Sequence, residues 1–259
     1  MELINVCHAS ESIVRVPDWK HRDPTSILDP EKKDFGIGFY MCKTMDLAYP
    51  VGLYSKRNRV ILNEYTLDLD GLNPLNLRVN LVWVMVVAAH RQRSAGTKAS
   101  RNYWAHLADA IKHEVEKYDI VIGPISNDRF FTVLDDFVDN AVSEQYTIDA
   151  VNFMRYPMQY VSKSDKADKK ITFVKSSEVN KDELSTASAE RDSEKEEMET
   201  AMTERRLLER ADVKKGIAHG RLFSDVVDAC FVGLEGATDE VILERLSKII
   251  KEWLENGAC

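Results

Sequence analysis

A chain of 259 residues with 44% hydrophobic and 30% charged side chains is long enough for a sizeable core and too apolar to remain disordered. Its net charge of -8 sets the field of the whole molecule against nucleic acid, leaving a local basic patch around His90, Arg91, Arg93, Lys98 and Arg101. The opening residues lack a basic segment followed by a long apolar run, and the longest apolar run, Leu81–Ala89, falls short of the ~20 residues a bilayer needs. Cys7, Cys42, Cys230 and Cys259 show no metal-ligand spacing. A reduced cytoplasmic protein without signal peptide, membrane span or structural metal is the expectation.

In chain order, Leu3–His8 reads as an opening strand and Phe39–Cys42 as a second. Alternating residues from Val60 to Leu69 read as a third. Asp46–Arg57, Leu81–Arg93, Tyr103–Glu116 and Asp128–Ala141 have helical spacing. Tyr118–Pro124 reads as a buried strand closed by Gly-Pro, and Gln159–Ser162 and Lys170–Val174 as two more. Strands and helices in this irregular order predict an α+β domain over residues 1–175 rather than a doubly wound sheet. Residues 176–215 hold no proline, glycine or aromatic side chain and are dense in charge. They read as a solvated helix or a linker. In the tail, 216–259, Leu222–Leu234 and Asp239–Glu255 form two apolar helical patterns. The stripe Ile242, Leu246, Ile249, Ile250 and Trp253 needs a partner surface, for which the chain's own core is preferred to a second chain. Thr238 is placed to cap the start of the last helix and Gly257 its end.

Three short segments draw chemical interest: Cys7-His8-Ala9-Ser10 at a strand end, Lys33-Asp34-Phe35-Gly36-Ile37-Gly38-Phe39-Tyr40, and Met158-Gln159-Tyr160-Val161. Taken singly, each has a bland explanation. A histidine at a strand end is usually structural, and a glycine pair before a strand is more often a bend than a ligand site.

Taken together, they resemble a bacterial family of uncharacterised domains placed among the ADP-ribosyltransferases. That family opens with a Tyr-His-Gly-Ser-like segment, loosely matched by Cys7–Ser10. It continues with Asp-Phe-Gly-x-Gly-Phe-Tyr, matched in full by Asp34–Tyr40. Tyr-Asp-x-Val-x-Gly-Pro follows, here Tyr118–Pro124, and after three residues Asp128-Arg129. Gln159-Tyr160-Val161 closes the domain.

The resemblance implies a split β-sheet core, NAD as co-substrate, and a His-Tyr-Gln variant of a His-Tyr-Glu catalytic set made of His8, Tyr40 and Gln159. His8 would meet a ribose hydroxyl, with Ala9, Ser10 and Phe39 beside the cofactor. Tyr40 offers a ring on which nicotinamide stacks. Gly36 and Gly38 would clear space for the cofactor against the main chain, and Arg129 would reach the pyrophosphate. Asp128 or Asn127 would either orient an acceptor or cap a helix. Arg91 is weighed as an anion contact and as a solvated helix end. Because Gln159 brings no charge to an oxocarbenium-like transition state, a rate loss of about 10²–10³ against a glutamate is expected.

The activity so implied is mono-ADP-ribosyl transfer from NAD, a glycosyltransferase reaction releasing nicotinamide, to an acceptor that is more readily a protein than a nucleic acid. A toxin or effector role and a regulatory protein partner also follow from the resemblance. Two other readings stand beside it: an NAD or ADP-ribose sensor without turnover, and a partner-binding or self-associating protein acting through its C-terminal helices.

Overall fold

A computed structural model describes residues 3–20, 33–43, 60–93, 98–126, 128–153, 157–179, 202–234 and 236–257. The helix expected over Asp46–Arg57 lies outside the described residues. Among the described residues there are seven strands: β1 (Leu3–Ser10), β2 (Phe39–Lys43), β3 (Ile61–Asp68), β4 (Pro74–Asn76), β5 (Ile120–Pro124), β6 (Met158–Ser162) and β7 (Ile171–Glu178). They form one sheet in the order β4-β5-β6-β2-β1-β3-β7. Every neighbouring pair is antiparallel except β4–β5.

That parallel pair needs a long crossover, which is supplied by the helices α1 (Leu81–His90) and α2 (Lys98–Val115). Helices α3 (Asp128–Val138), α4 (Glu144–Phe153) and α5 (Asp165–Asp168) follow. Residues 202–214 form α6, and α7 (Phe223–Phe231) and α8 (Asp239–Asn256) end the described chain. The architecture is α+β, as the irregular order of elements predicts.

Side chains alternate across each strand, and the alternation sorts the sheet into two faces. Val6, Phe39, Met41, Tyr65, Leu67, Ile120, Ile122 and Tyr160 form the cluster on one face. Val121 and Val161 point to the other, where they join Phe35 and the helical core around Trp83 and Leu107. Helix α1 is buried on every side, which explains a sequence that is apolar all round rather than amphipathic. Its first turn is held by Asn80, whose side chain accepts the Trp83 backbone N–H at 3.0 Å.

The tail packs on the chain's own core. Leu246, Ile250, Trp253 and Leu254 of α8 share one cluster with Trp83 and Leu107, and Ile242 and Ile249 pack against it half-buried. Gly257 ends α8 in the left-handed region at φ 70°, and its carbonyl accepts from Asn80 Nδ2 at 2.7 Å. Thr238 stands at the other end without a side-chain capping bond. Helix α6 is tied down by buried Glu209, which accepts from the Ser143 N–H at 3.1 Å, and by Arg210, which donates to Asp136 at 2.9 Å. The charged stretch 176–215 thus divides: its first residues finish β7, its last form α6, and those between lie outside the described residues.

One irregularity positions the site. β1 pairs with β3 along its whole length, from Leu3↔Asp68 to Ser10↔Ile61. Its pairing with β2, among the described residues, is confined to Val6↔Lys43 and Cys7↔Cys42. Past that point no β1–β2 pair follows among the described residues, and His8–Ser10 and Phe39–Met41 form the two edges, or lips, of this break in the ladder, the opening.

Candidate functional site

The opening is bounded by the loop 33–38, and the loop's shape follows from its glycines. A turn is closed by the Gly36 N–H donating to the Lys33 carbonyl at 3.1 Å, with Gly36 at φ +72°, which favours glycine. A Cβ on Gly36 would stand 2.7 Å from Cδ2 of His90, and one on Gly38 would stand 2.5 Å from Cγ1 of Val161 and 2.8 Å from the Ser162 carbonyl. The missing side chains therefore admit the end of α1 and the strand β6. The space they clear is filled by the protein, which corrects the expectation that it is kept for a cofactor. Gly38→Ala should lower stability by about 1–3 kcal/mol, since backbone rather than a flexible side-chain end must shift. Urea unfolding of the variant checks this, and a change below a few tenths would show that β6 yields freely.

Asp34 is the hub of this region. Its carboxylate is buried, at 3% exposure, and accepts from Arg91 Nε at 3.0 Å and Nη2 at 2.6 Å. It also accepts from the Ser126 N–H at 2.8 Å, from the Ser126 hydroxyl, and from Gln159 Nε2 at 2.9 Å. Arg91 in turn lies over the Phe131 ring, 4.4 Å from its centroid. Arg91 is thus neither an anion contact nor a solvated helix end, but half of a buried ion pair.

Gln159 sits on β6, buried, and its Nε2 donates to the Pro124 carbonyl at 3.1 Å as well as to Asp34. The Tyr40 hydroxyl donates to the Gly36 carbonyl at 2.7 Å and accepts the Phe35 N–H at 3.1 Å. Burial, and then the Asp34 carboxylate, hold that phenol well above its usual pKa, so it remains a donor. The Tyr40 ring is half-buried and carries the Lys33 ammonium 5.0 Å from its centroid.

Tyr40 and Gln159 therefore face the helices and meet through the loop 33–38. His8 does not join them there. Its side chain lies on the opposite face, ring centroid 4.6 Å from that of Phe39, and its Nδ1 meets the Tyr40 carbonyl at 2.8 Å across the opening. Ala9 and Ser10 are buried, Ser10 donating to the Ser12 carbonyl at 2.6 Å. Phe39 is buried edge-on to Tyr65, centroids 5.8 Å apart. Asp128 and Arg129 begin α3, while Asn127 lies outside the described residues.

Two more side chains complete the frame: Lys163, which sequence reasoning passed over, and His90, which is buried and neutral rather than part of a basic patch. Lys163, buried just beyond β6, donates from Nζ to the Phe35 carbonyl at 2.6 Å, and burial pushes its ammonium down to about 8. His90 ends α1 against Gly36 with Nδ1 2.9 Å from the Val86 carbonyl, and burial, with Lys163 nearby, pushes it down to about 3. A histidine kept neutral in the fold but protonated when unfolded contributes stability that is complete above about pH 6.5 and lost as pH falls toward 3. Between pH 6.5 and 5 the wild type should lose roughly 2 kcal/mol more than His90→Gln. Urea titrations at the two pH values measure this, and equal losses would contradict it.

Among the described residues no group of three or more His, Cys, Asp or Glu side chains is arranged to hold a metal ion, and no helix is long and apolar enough to cross a membrane. A groove of about 400 Å³ lies at the β5–β6 end of the sheet, lined by Leu77, Arg78, Val79, Pro124, Val151, Asn152 and Met158. It adjoins Gln159 in sequence but does not include His8, Tyr40 or Gln159.

An α+β protein with a pinched sheet and a glycine loop locked by a buried carboxylate is the class that fold and site define. The model of the family described as Protein of unknown function (DUF3990) matches residues 4–173, and the chain belongs to that family. No curated protein and no solved structure matches the chain.

Proposed function

We propose that the protein is an NAD-dependent mono-ADP-ribosyltransferase whose NAD lies across the opening between β1 and β2. The observation that carries the reading is a break in the ladder: pairing stops at Cys7↔Cys42, and beyond it the motif-bearing edges His8–Ser10 and Phe39–Met41 face each other, joined by the His8 Nδ1 contact to the Tyr40 carbonyl. The motif residues Asp34–Tyr40 form one lip and its supporting loop. The split core implied by the resemblance is read onto this pinch.

In this reading His8 offers a ring nitrogen to a ribose hydroxyl at the lip. The Tyr40 ring stacks the nicotinamide, and its face already attracts a cation, Lys33, as it would the positively charged nicotinamide ring of NAD. The Tyr40 hydroxyl is committed to the loop, so its part is to hold the ring in place. Gln159, neutral and anchored on Asp34, supplies dipole rather than charge to the oxocarbenium-like transition state, so turnover is slow and stops at one ADP-ribose. A protein acceptor suits the net charge of -8 better than nucleic acid does. A toxin or effector role under a partner's control belongs to the same proposal.

A second reading, NAD or ADP-ribose binding without turnover, is favoured by the burial of Gln159 and the commitment of its amide to Asp34 and Pro124. Calorimetric titration with NAD alongside chromatography of released nicotinamide separates the two. Binding with release supports the transferase, binding without release the sensor, and absence of binding overturns both. His8→Ala should weaken NAD binding about tenfold, the loss of one good hydrogen bond, and lower the thermal midpoint by a few degrees through the lost contacts to the Tyr40 carbonyl and the Phe39 ring. Unchanged affinity would remove His8 from the site.

A further inference from the structure

We propose that Cys7 and Cys42 form a reversible cross-strand disulfide that fixes β1 to β2 at the vertex of the sheet opening. The two residues are direct partners in the antiparallel register, and their Sγ atoms lie 3.4 Å apart. Directly opposed residues of an antiparallel pair have Cα atoms roughly 4.5–5.5 Å apart, inside the roughly 4.4–6.8 Å that a disulfide spans. Only the two sulfurs need to close, to about 2.05 Å, and no strand has to move.

The surroundings suit a buried but reachable bond. Cys7 and Cys42 are 0% and 3% exposed and share a small cluster with Leu62. Its remaining neighbours among the described residues, Ile125 and Val179, are only partly buried. Cys42 is the last β2 residue paired with β1 before the opening, so a bond there sets how far the lips can part.

The chemistry is exchange with a small-molecule disulfide. One protein thiolate attacks a sulfur of the reagent, forming a mixed disulfide and expelling a thiolate. The second protein thiolate then attacks the protein sulfur of that intermediate, closing Cys7–Cys42 and expelling the other half. Two protein thiols lose two electrons and two protons, and the reagent leaves as two thiols. The inference rests on the strand register and the sulfur contact, and does not depend on NAD binding.

The test uses the full chain, purified reduced and equilibrated with excess oxidised glutathione, then acid-quenched, alkylated and mapped by mass spectrometry. The expected product is about 2 Da lighter before alkylation, contains a Cys7–Cys42 cross-linked peptide, and reverts with dithiothreitol. Its thermal midpoint should rise by roughly 5 °C, because closing this loop restrains the unfolded chain. Cys7→Ser and Cys42→Ser should each lose the cross-link and the shift, while Cys230→Ser keeps both. A stable glutathione adduct on either cysteine, a cross-link that involves Cys230 or Cys259, or no cross-link at equilibrium would each overturn the proposal. The wild-type peptide map decides even if a serine variant fails to fold.

Discussion

Replacing Asp34 by alanine should lower the unfolding free energy by about 3–5 kcal/mol, the range for removing one partner of a buried ion pair. The carboxylate takes two donors from Arg91, two from Ser126 and one from Gln159, and all of these lose their acceptor in a region closed to water. Arg91 suffers most, because its guanidinium is 13% exposed and its other contact is with the Phe131 ring. The loop 33–38 should loosen as well, since Asp34 is what ties it to α1, β6 and the segment after β5 at once. Asp34→Asn, which keeps the shape and one acceptor oxygen, should cost roughly half as much. Adding Arg91→Met to Asp34→Ala should recover part of the loss by removing the stranded charge. Urea denaturation of wild type and the three variants measures these differences, and a loss below 1 kcal/mol in Asp34→Ala would mean that the carboxylate is not a hub.

Gln159→Glu carries the second large effect, and its two consequences are opposed. From the resemblance alone, a glutamate here restores the negative charge that stabilises the developing cation and should accelerate nicotinamide release. In the structure, the amide nitrogen it would replace donates to Asp34 at 2.9 Å. Two carboxylates at that separation cannot both ionise, so the folded variant must bind a proton that the unfolded chain releases. The new group's pKa is raised by folding, so its contribution is intact below about pH 4.3 and is lost as pH rises. The expected deficit against wild type is about 2–4 kcal/mol at pH 7.5 and shrinks toward acid. Unfolding titrations at pH 5 and 7.5 measure it, and a pH-independent deficit would contradict the shared-proton geometry. Where the shared proton is held the pair carries no more charge than Asp34 alone, so nicotinamide release by the folded variant should exceed wild type only as rising pH removes that proton. An unchanged rate would place residue 159 away from the ribose.

Much of the sheet is legible in the sequence because its strands alternate: β1, β3 and β5 to β7 fall where period-two patterns and Gly-Pro breaks put them. β4 is too short, at Pro74–Asn76, to show any period, and α4, EQYTIDAVNF, mixes β-branched and aromatic residues that carry little helical signal. The tail stripe on α8 is legible as a buried face, and it docks on the chain's own core because Trp83 and Leu107 leave that side of the helical layer to be covered.

The candidate site is legible only in part. His8, Tyr40 and Gln159 stand out as types suited to a sugar-linked cofactor. What organises them, Asp34, lies inside the same motif yet has no spacing that announces five donors drawn from sites 57, 92 and 125 residues away. Lys163 and His90 are likewise silent in sequence: a lysine after a strand and a histidine ending an apolar helix look solvent-bound until the fold closes over them. The glycines show the ambiguity most plainly. Close approach at Gly36 and Gly38 is a sound inference, and only the three-dimensional neighbours say that the approaching group is β6 and α1.

A structure of the protein soaked with NAD tests the central claim most directly. The account predicts the nicotinamide ribose between the lips of the β1–β2 opening, within hydrogen-bond reach of His8, with the nicotinamide over the Tyr40 ring and the Asp34–Arg91 pair unbroken. NAD lodged instead in the groove beside Leu77 and Met158, or density showing His8 and Tyr40 untouched by the dinucleotide, would contradict it.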